Sequence, residues 1–212
     1  LDLVAVSIAS DIVPITGENR IMAHFGLKQL NSSPRTGLRE IIKESDIRKE
    51  LAVEDVVFKL GPRINAAGRM ENGSKAVDLL ISEDPRVAAE ISREISSFNN
   101  ERRTVDRIIT TEALRMISDD PRSPNAKTTV LYNPEWRKGV IGIVASRLIE
   151  LYYRPTVILT ESNGFATGSA RSVQGYDLYQ AIEACGDLLE NFGGHMFAAG
   201  LTLKKENVDR FR

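Results

Sequence analysis

Gly193, Gly194 and His195, followed by Ala198, Ala199 and Gly200, are well suited to hold an anion. Adjacent glycines let main chain approach a phosphate closely and aim N–H groups at it. An imidazole beside them can donate to a phosphate oxygen. The same residues also suit a plain helix-to-strand turn with a satisfied histidine. Upstream, Ser169, Arg171 and Ser172 close a β-rich stretch. An arginine between two serines makes an oxyanion clamp, with a bidentate fork and hydroxyl donors, or else a surface ion pair. If this clamp faces the Gly-Gly-His segment, the two together form a phosphate site.

Four further groups have chemical potential. Trp136 and Gly139 stand where a strand runs into a helix. A helix N-terminus favours anions, and an indole offers a face for a base to stack on; the alternative is a core tryptophan. Gly142 reads as a close-packing glycine. Arg63, Asn65 and Arg69, in a Gly/Ala-rich stretch, suit phosphate contacts or an ordinary solvated loop. Arg102 interrupts an apolar stripe. It lies along a groove with its head in water, or it turns toward an anionic ligand in a cleft. Asp11 follows an apolar run, where a carboxylate at a strand end faces a ligand site or serves in a turn. Such hard oxygen ligands suit divalent cations.

These residues need a scaffold. Residues 1–8 read as a buried strand, and 18–30 as a helix. Thr36 and Ser74 read as caps of short helices. The Gly61-Pro62 pair reads as a break. Residues 85–117 have one helical stripe, Val87, Ile91, Ile95, Phe98, Val105, Ile108, Ile109 and Ile117, with Asp84 as N-cap and Pro85 in the first turn. A Pro-rich polar linker spans 119–125. After it, strands at 128–132, 156–160, 166–170 and 200–203 alternate with helices at 140–153 and 178–189. That alternation indicates an α/β domain. Cys185 falls on the apolar stripe of the last helix.

Composition bounds the function. The 212 residues carry 28 Lys+Arg against 29 Asp+Glu, a formal net charge of −1. A broadly basic nucleic-acid binder is excluded, although a local basic site is not. The one cysteine rules out an intrachain disulfide and argues against a Cys-based zinc site. No apolar run reaches the ~20 residues of a membrane span. The chain opens as a strand already under way and closes as a helix begins, so an excised piece of a longer protein is expected.

Taken together, five segments resemble the RecJ family of single-strand-specific DNA exonucleases, within the DHH phosphoesterases. Residues 3–15 with Gly17 to Arg20 look like the last conserved motif of the catalytic domain. Arg63 to Arg69 looks like the family's Arg-x-Asn-Ala-x-Gly-Arg segment. Gly139 to Arg147, Gly168 to Ser172 and Gly193 to Gly200 follow in the family's order. The resemblance implies a mixed-sheet α/β domain joined by a long helix to the mostly helical end of a catalytic domain. Residues 1–83 would be the remnant of that domain, 84–125 the connecting helix and linker, and 126–212 a DHH-associated substrate-binding domain.

The resemblance also implies 5′-to-3′ hydrolysis of single-stranded DNA in repair and recombination, with two manganese or magnesium ions in the full enzyme. Asp11 matches the last metal-binding aspartate. Arg171 and His195 match positions facing the DNA backbone. A cytoplasmic monomer is implied, with single-strand-binding protein as a partner and no membrane. The Asp-His-His signature and the earlier aspartate motifs are absent from these residues, so the piece is expected to lack nuclease activity and to bind metal weakly or not at all. Arg137 stands where the family commonly has a histidine. Alternatives are a phosphodiesterase for short oligoribonucleotides or cyclic dinucleotides, in which a longer glycine run precedes the histidine, and a non-catalytic nucleic-acid-binding module.

Overall fold

The computed structural model describes all residues from Leu1 to Arg212. They form two compact units, Leu1–Arg102 and Arg103–Arg212. The first is entirely helical: α1 (Asp2–Ser10), α2 (Gly17–Ser32), α3 (Thr36–Glu44), α4 (Val53–Asp55), α5 (Gly61–Met70), α6 (Ser74–Ile81) and the first half of α7 (Pro85–Asp119). Its core is built from Val6, Leu30, Leu38, Ile41, Leu60, Leu79 and Ile95, with their neighbours.

The opening segment corrects the strand expected there. Its buried residues include Asp2, Ala5, Val6 and Ala9, which recur at helical rather than alternating spacing. A short apolar run fits either state, and packing decides. Here α2 decides it: Gly26 lets α1 approach so closely that a β-carbon would stand 2.5 Å from the Leu1 carbonyl oxygen. Asp2 is fully buried yet charged, because the Arg35 main-chain N–H donates to it at 3.0 Å and the guanidinium at 3.1 and 3.2 Å. Burial raises its pKa, but hydrogen bonds from Arg35 prevail and hold the carboxyl below its ordinary value.

The Gly61-Pro62 pair is likewise no break. A π-helical turn, Val56–Leu60, leads from α4 straight into α5, of which Pro62 is the second residue. Thr36 and Ser74 are the first residues inside their helices rather than caps. Asp84 does cap α7, its carboxylate accepting from Arg86 N at 2.7 Å. The buried seam of α7 runs through Ala88, Ser92, Ile95 and Asn99, while Val87 and Ile108 are exposed.

In the second unit a five-stranded mixed sheet has the order β1-β2-β3-β5-β4. The strands are β1 (Thr129–Tyr132), β2 (Thr156–Ser162), β3 (Phe165–Arg171), β4 (Leu189–His195) and β5 (Ala198–Leu203). β1 and β2 are parallel, joined through α8 (Lys138–Tyr152), and the other pairs are antiparallel. One sheet face packs against α8, which buries Val140, Ile141, Val144 and Leu148. The opposite face carries Leu159, Ala166, Ala170, Leu201 and Leu203 into a second core with Leu178 and Ile182 of α9 (Leu178–Glu183) and Val208 of α10 (Val208–Phe211). The helix expected over 178–189 is therefore short, and 189–195 is a strand. Cys185 is half-buried rather than core.

Candidate nucleic-acid interface

Strand register decides which of the chemistry-bearing residues meet. Arg171 on β3 stands opposite Ala198 on β5, which stands opposite His195 on β4. Ser169 stands opposite Gly200, and Gly200 opposite Gly193. Directly opposed residues share a sheet face. The clamp and the Gly-Gly-His segment therefore lie on one face, two strands apart, or about 10 Å at the usual strand spacing. A third row on that face holds Thr160, Thr167, Thr202 and Asn191.

The clamp is held by its surroundings. The Arg171 guanidinium donates to Ser169 Oγ at 2.9 Å and to the Ala170 carbonyl at 2.8 Å. Gly142 of α8 makes the room: a β-carbon there would fall 2.9 Å from Ser169 Oγ and 3.0 Å from Arg171 Nη2. Since Ser169 accepts from the arginine, its own proton is left for an anionic acceptor.

The glycine pair does not act as a helix-to-strand turn, because Gly193 and Gly194 lie within the edge strand β4. Their reasons for being glycine differ. Gly194 has φ +150°, and a β-carbon would sit 2.3 Å from the Ala198 carbonyl oxygen. At Gly193 a β-carbon would meet nothing within 4 Å, and at Gly200 only a carbonyl at 3.9 Å. Packing within the chain demands no glycine at either. A glycine that the fold does not need leaves room for close approach from outside. His195 is exposed, and its Nδ1 accepts from Phe197 N at 3.3 Å. That bond places the ring proton of a neutral imidazole on Nε2, a donor for a phosphate oxygen.

The other expected residues are on other elements or are otherwise engaged. Trp136 is 4% exposed and its indole N–H donates to Glu112 at 2.6 Å, so it is a core residue and offers no face to a base. Ser172 donates its hydroxyl proton to the Tyr176 carbonyl at 2.8 Å, which fixes a turn rather than completing the clamp. Gly139 lies half-buried in the first turn of α8, three residues before Gly142. Arg63, Asn65 and Arg69 are on α5 rather than in a loop. Helical spacing puts Asn65 and Arg69 on one side and Arg63 on another, and Arg63 donates to the Lys59 carbonyl at 2.8 Å. Arg102 donates to the buried Asn99 side chain at 2.8 Å.

Asp11 does not end a strand. It is exposed at the C-terminal end of α1, where the helix dipole also favours a cation. No group of three or more His, Cys, Asp or Glu side chains is clustered anywhere in the chain. A site of three or more such ligands is therefore not assembled from these residues alone. Two couplings outside the expected set brace the face. Arg147 of α8 pairs with Asp106 of α7 at 2.8 Å, and Glu112 of α7 holds Trp136.

Residues 125–212 match the DHHA1 domain family. Over its full length the chain is 44% identical to the single-stranded-DNA-specific exonuclease RecJ of Bacillus subtilis, covering 27% of that protein. It is 34% identical to the Escherichia coli protein of the same name, covering 38% of it. A structure of RecJ from Thermus thermophilus in complex with Mg2+ superposes with a TM-score of 0.89 at 33% identity, over 99% of this chain and 32% of that one. A structure of exonuclease RecJ bound to manganese superposes with a TM-score of 0.84 at 31% identity, over 99% of this chain and 52% of that one. The chain thus spans well under half the length of the curated relatives it matches.

Proposed function

We propose that this chain, which is similar over its full length to RecJ exonucleases, supplies the strand-gripping part of a metal-dependent 5′-to-3′ exonuclease for single-stranded DNA. The observation that carries the reading is the shared sheet face of Ser169, Arg171, Gly193, Gly200 and His195. There a guanidinium, a hydroxyl and an imidazole N–H stand around a floor formed by Gly193, Gly200 and the small side chain of Ala198. That arrangement suits a ribose–phosphate chain and gives no means of reading base identity.

In this reading Arg171 neutralises a phosphate, Ser169 donates to it, and His195 donates from Nε2 to a neighbouring one. Holding successive phosphates fixes where the scissile bond lies relative to the reacting groups. Asp11 is a manganese or magnesium ligand whose companions lie outside these 212 residues. Arg63, Asn65, Arg69 and Arg102 add phosphate contacts, and Gly139 an anion-favouring helix start. Residues 1–83 belong to the catalytic domain, 84–125 connect, and 126–212 bind substrate. The full protein acts in DNA repair and recombination, as a cytoplasmic monomer that works with single-strand-binding protein.

The test is the salt dependence of single-stranded DNA binding by the full protein. Arg171→Ala is expected to weaken binding and to reduce the slope of log affinity against log salt by about 1. An unchanged slope would show that Arg171 touches no phosphate.

A further inference from the structure

We infer that the polynucleotide runs along β4 and β5, and that Asn191 and Thr202 are further phosphate-contacting residues two nucleotide steps from His195. This rests on the reading of the sheet face as the DNA-binding surface and adds a direction and an extent to it.

Residues alternating along β4 share a face, so His195, Gly193 and Asn191 form one line. On β5 the opposed line is Ala198, Gly200 and Thr202. Each step of two residues advances about 7 Å along the sheet. That is close to the separation of successive phosphates on an extended single strand. From His195 to Asn191 is four residues, or about 13 Å, hence two such steps. The middle step is the Gly193–Gly200 pair, where the main chain lies bare. One end carries an imidazole donor, and the other carries the Asn191 amide and the Thr202 hydroxyl.

Both flanks fit this path. On the inner side Ser169, Arg171 and Thr167 of β3 continue the rows as a polar wall. On the outer side β4 is the edge of the sheet, so bases can project outward without meeting another strand. Glu190, an acidic residue beside this line, has Lys204 Nζ 4.0 Å from its carboxylate. An exposed carboxylate is thereby partly offset next to the path of the phosphates.

The contacts assigned to Asn191 and Thr202 are uncharged donors, which separates them from Arg171 in a measurement. Binding of 5′-phosphorylated oligodeoxythymidylates of three to ten nucleotides to the full protein, in EDTA, is followed by fluorescence anisotropy across a salt series. Asn191→Ala combined with Thr202→Val is expected to weaken binding about tenfold, as for loss of a hydrogen bond to a charged group, with no change of salt slope. Its penalty and that of His195→Ala should set in at lengths differing by about two nucleotides. Thr202→Ser with Asn191→Gln keeps the donors and should restore most of the affinity. A penalty that is absent at every length, or that sets in at the same length as His195→Ala, would overturn the path. If Arg171→Ala and His195→Ala are also without effect, the reading of the whole face fails, not only its direction.

Discussion

Two neighbouring glycines separate fold from function at single-residue scale. Gly194 is demanded by its backbone and by the Ala198 carbonyl oxygen, whereas Gly193 faces open space. Gly194→Ala should therefore lower stability by more than about 1 kcal/mol, since alanine at a positive φ is strained. Gly193→Ala should leave the melting temperature unchanged or slightly raised, yet weaken DNA binding, because its methyl group occupies the floor. Thermal unfolding with a binding isotherm for each variant checks both. The sequence already marked these residues as chemically suited, and the resemblance singled out Arg171 and His195. What it could not separate was phosphate turn from strand. A Gly-Gly pair has the composition of a turn, and only pairing with β5 along its length makes 189–195 a strand. Asn191 and Thr202 were invisible for the same reason: their place beside His195 is set by register across a sheet, and no local pattern encodes it.

At the scale of elements, long periodic segments were legible and short apolar ones were not. Helix α7 was readable because its spacing persists over many turns and Asp84 with Pro85 marks its start. The strands β1 and β2 were readable from β-branched runs bounded by turn residues, whereas β3 and β5 hold one β-branched residue each, Thr167 and Thr202. Residues 2–10 were misread because an apolar run of that length suits a buried strand as well as a buried helix, and the decision belongs to Gly26 on a neighbouring helix. Trp136 was ambiguous for a related reason, since burial depends on what packs over it. Its partner Glu112 lies on α7, 24 residues earlier. Trp136→Phe should cost about 1 kcal/mol, the loss of that bond and the unpaired carboxylate it leaves. Affinity for single-stranded DNA should stay within about twofold of the parent. A large loss of affinity at unchanged stability would restore the indole as a stacking platform.

For the whole molecule, the division of labour is the central issue. One unit is helical and carries Asp11; the other carries the sheet face of Ser169, Arg171 and His195. With a single candidate ligand and no cluster of carboxylates or imidazoles, the 212-residue chain alone should show no appreciable degradation of single-stranded DNA in manganese or magnesium. The full protein should degrade it under the same conditions; robust hydrolysis by the piece would refute this division. The most direct measurement is photo-cross-linking of the full protein to single-stranded DNA carrying 5-iodouracil, with the linked peptides identified by mass spectrometry. Cross-links are expected within 189–203, at the hairpin bearing His195 and the exposed Met196 and Phe197. Cross-links confined to α9 and α10, on the opposite face of the sheet, would contradict it.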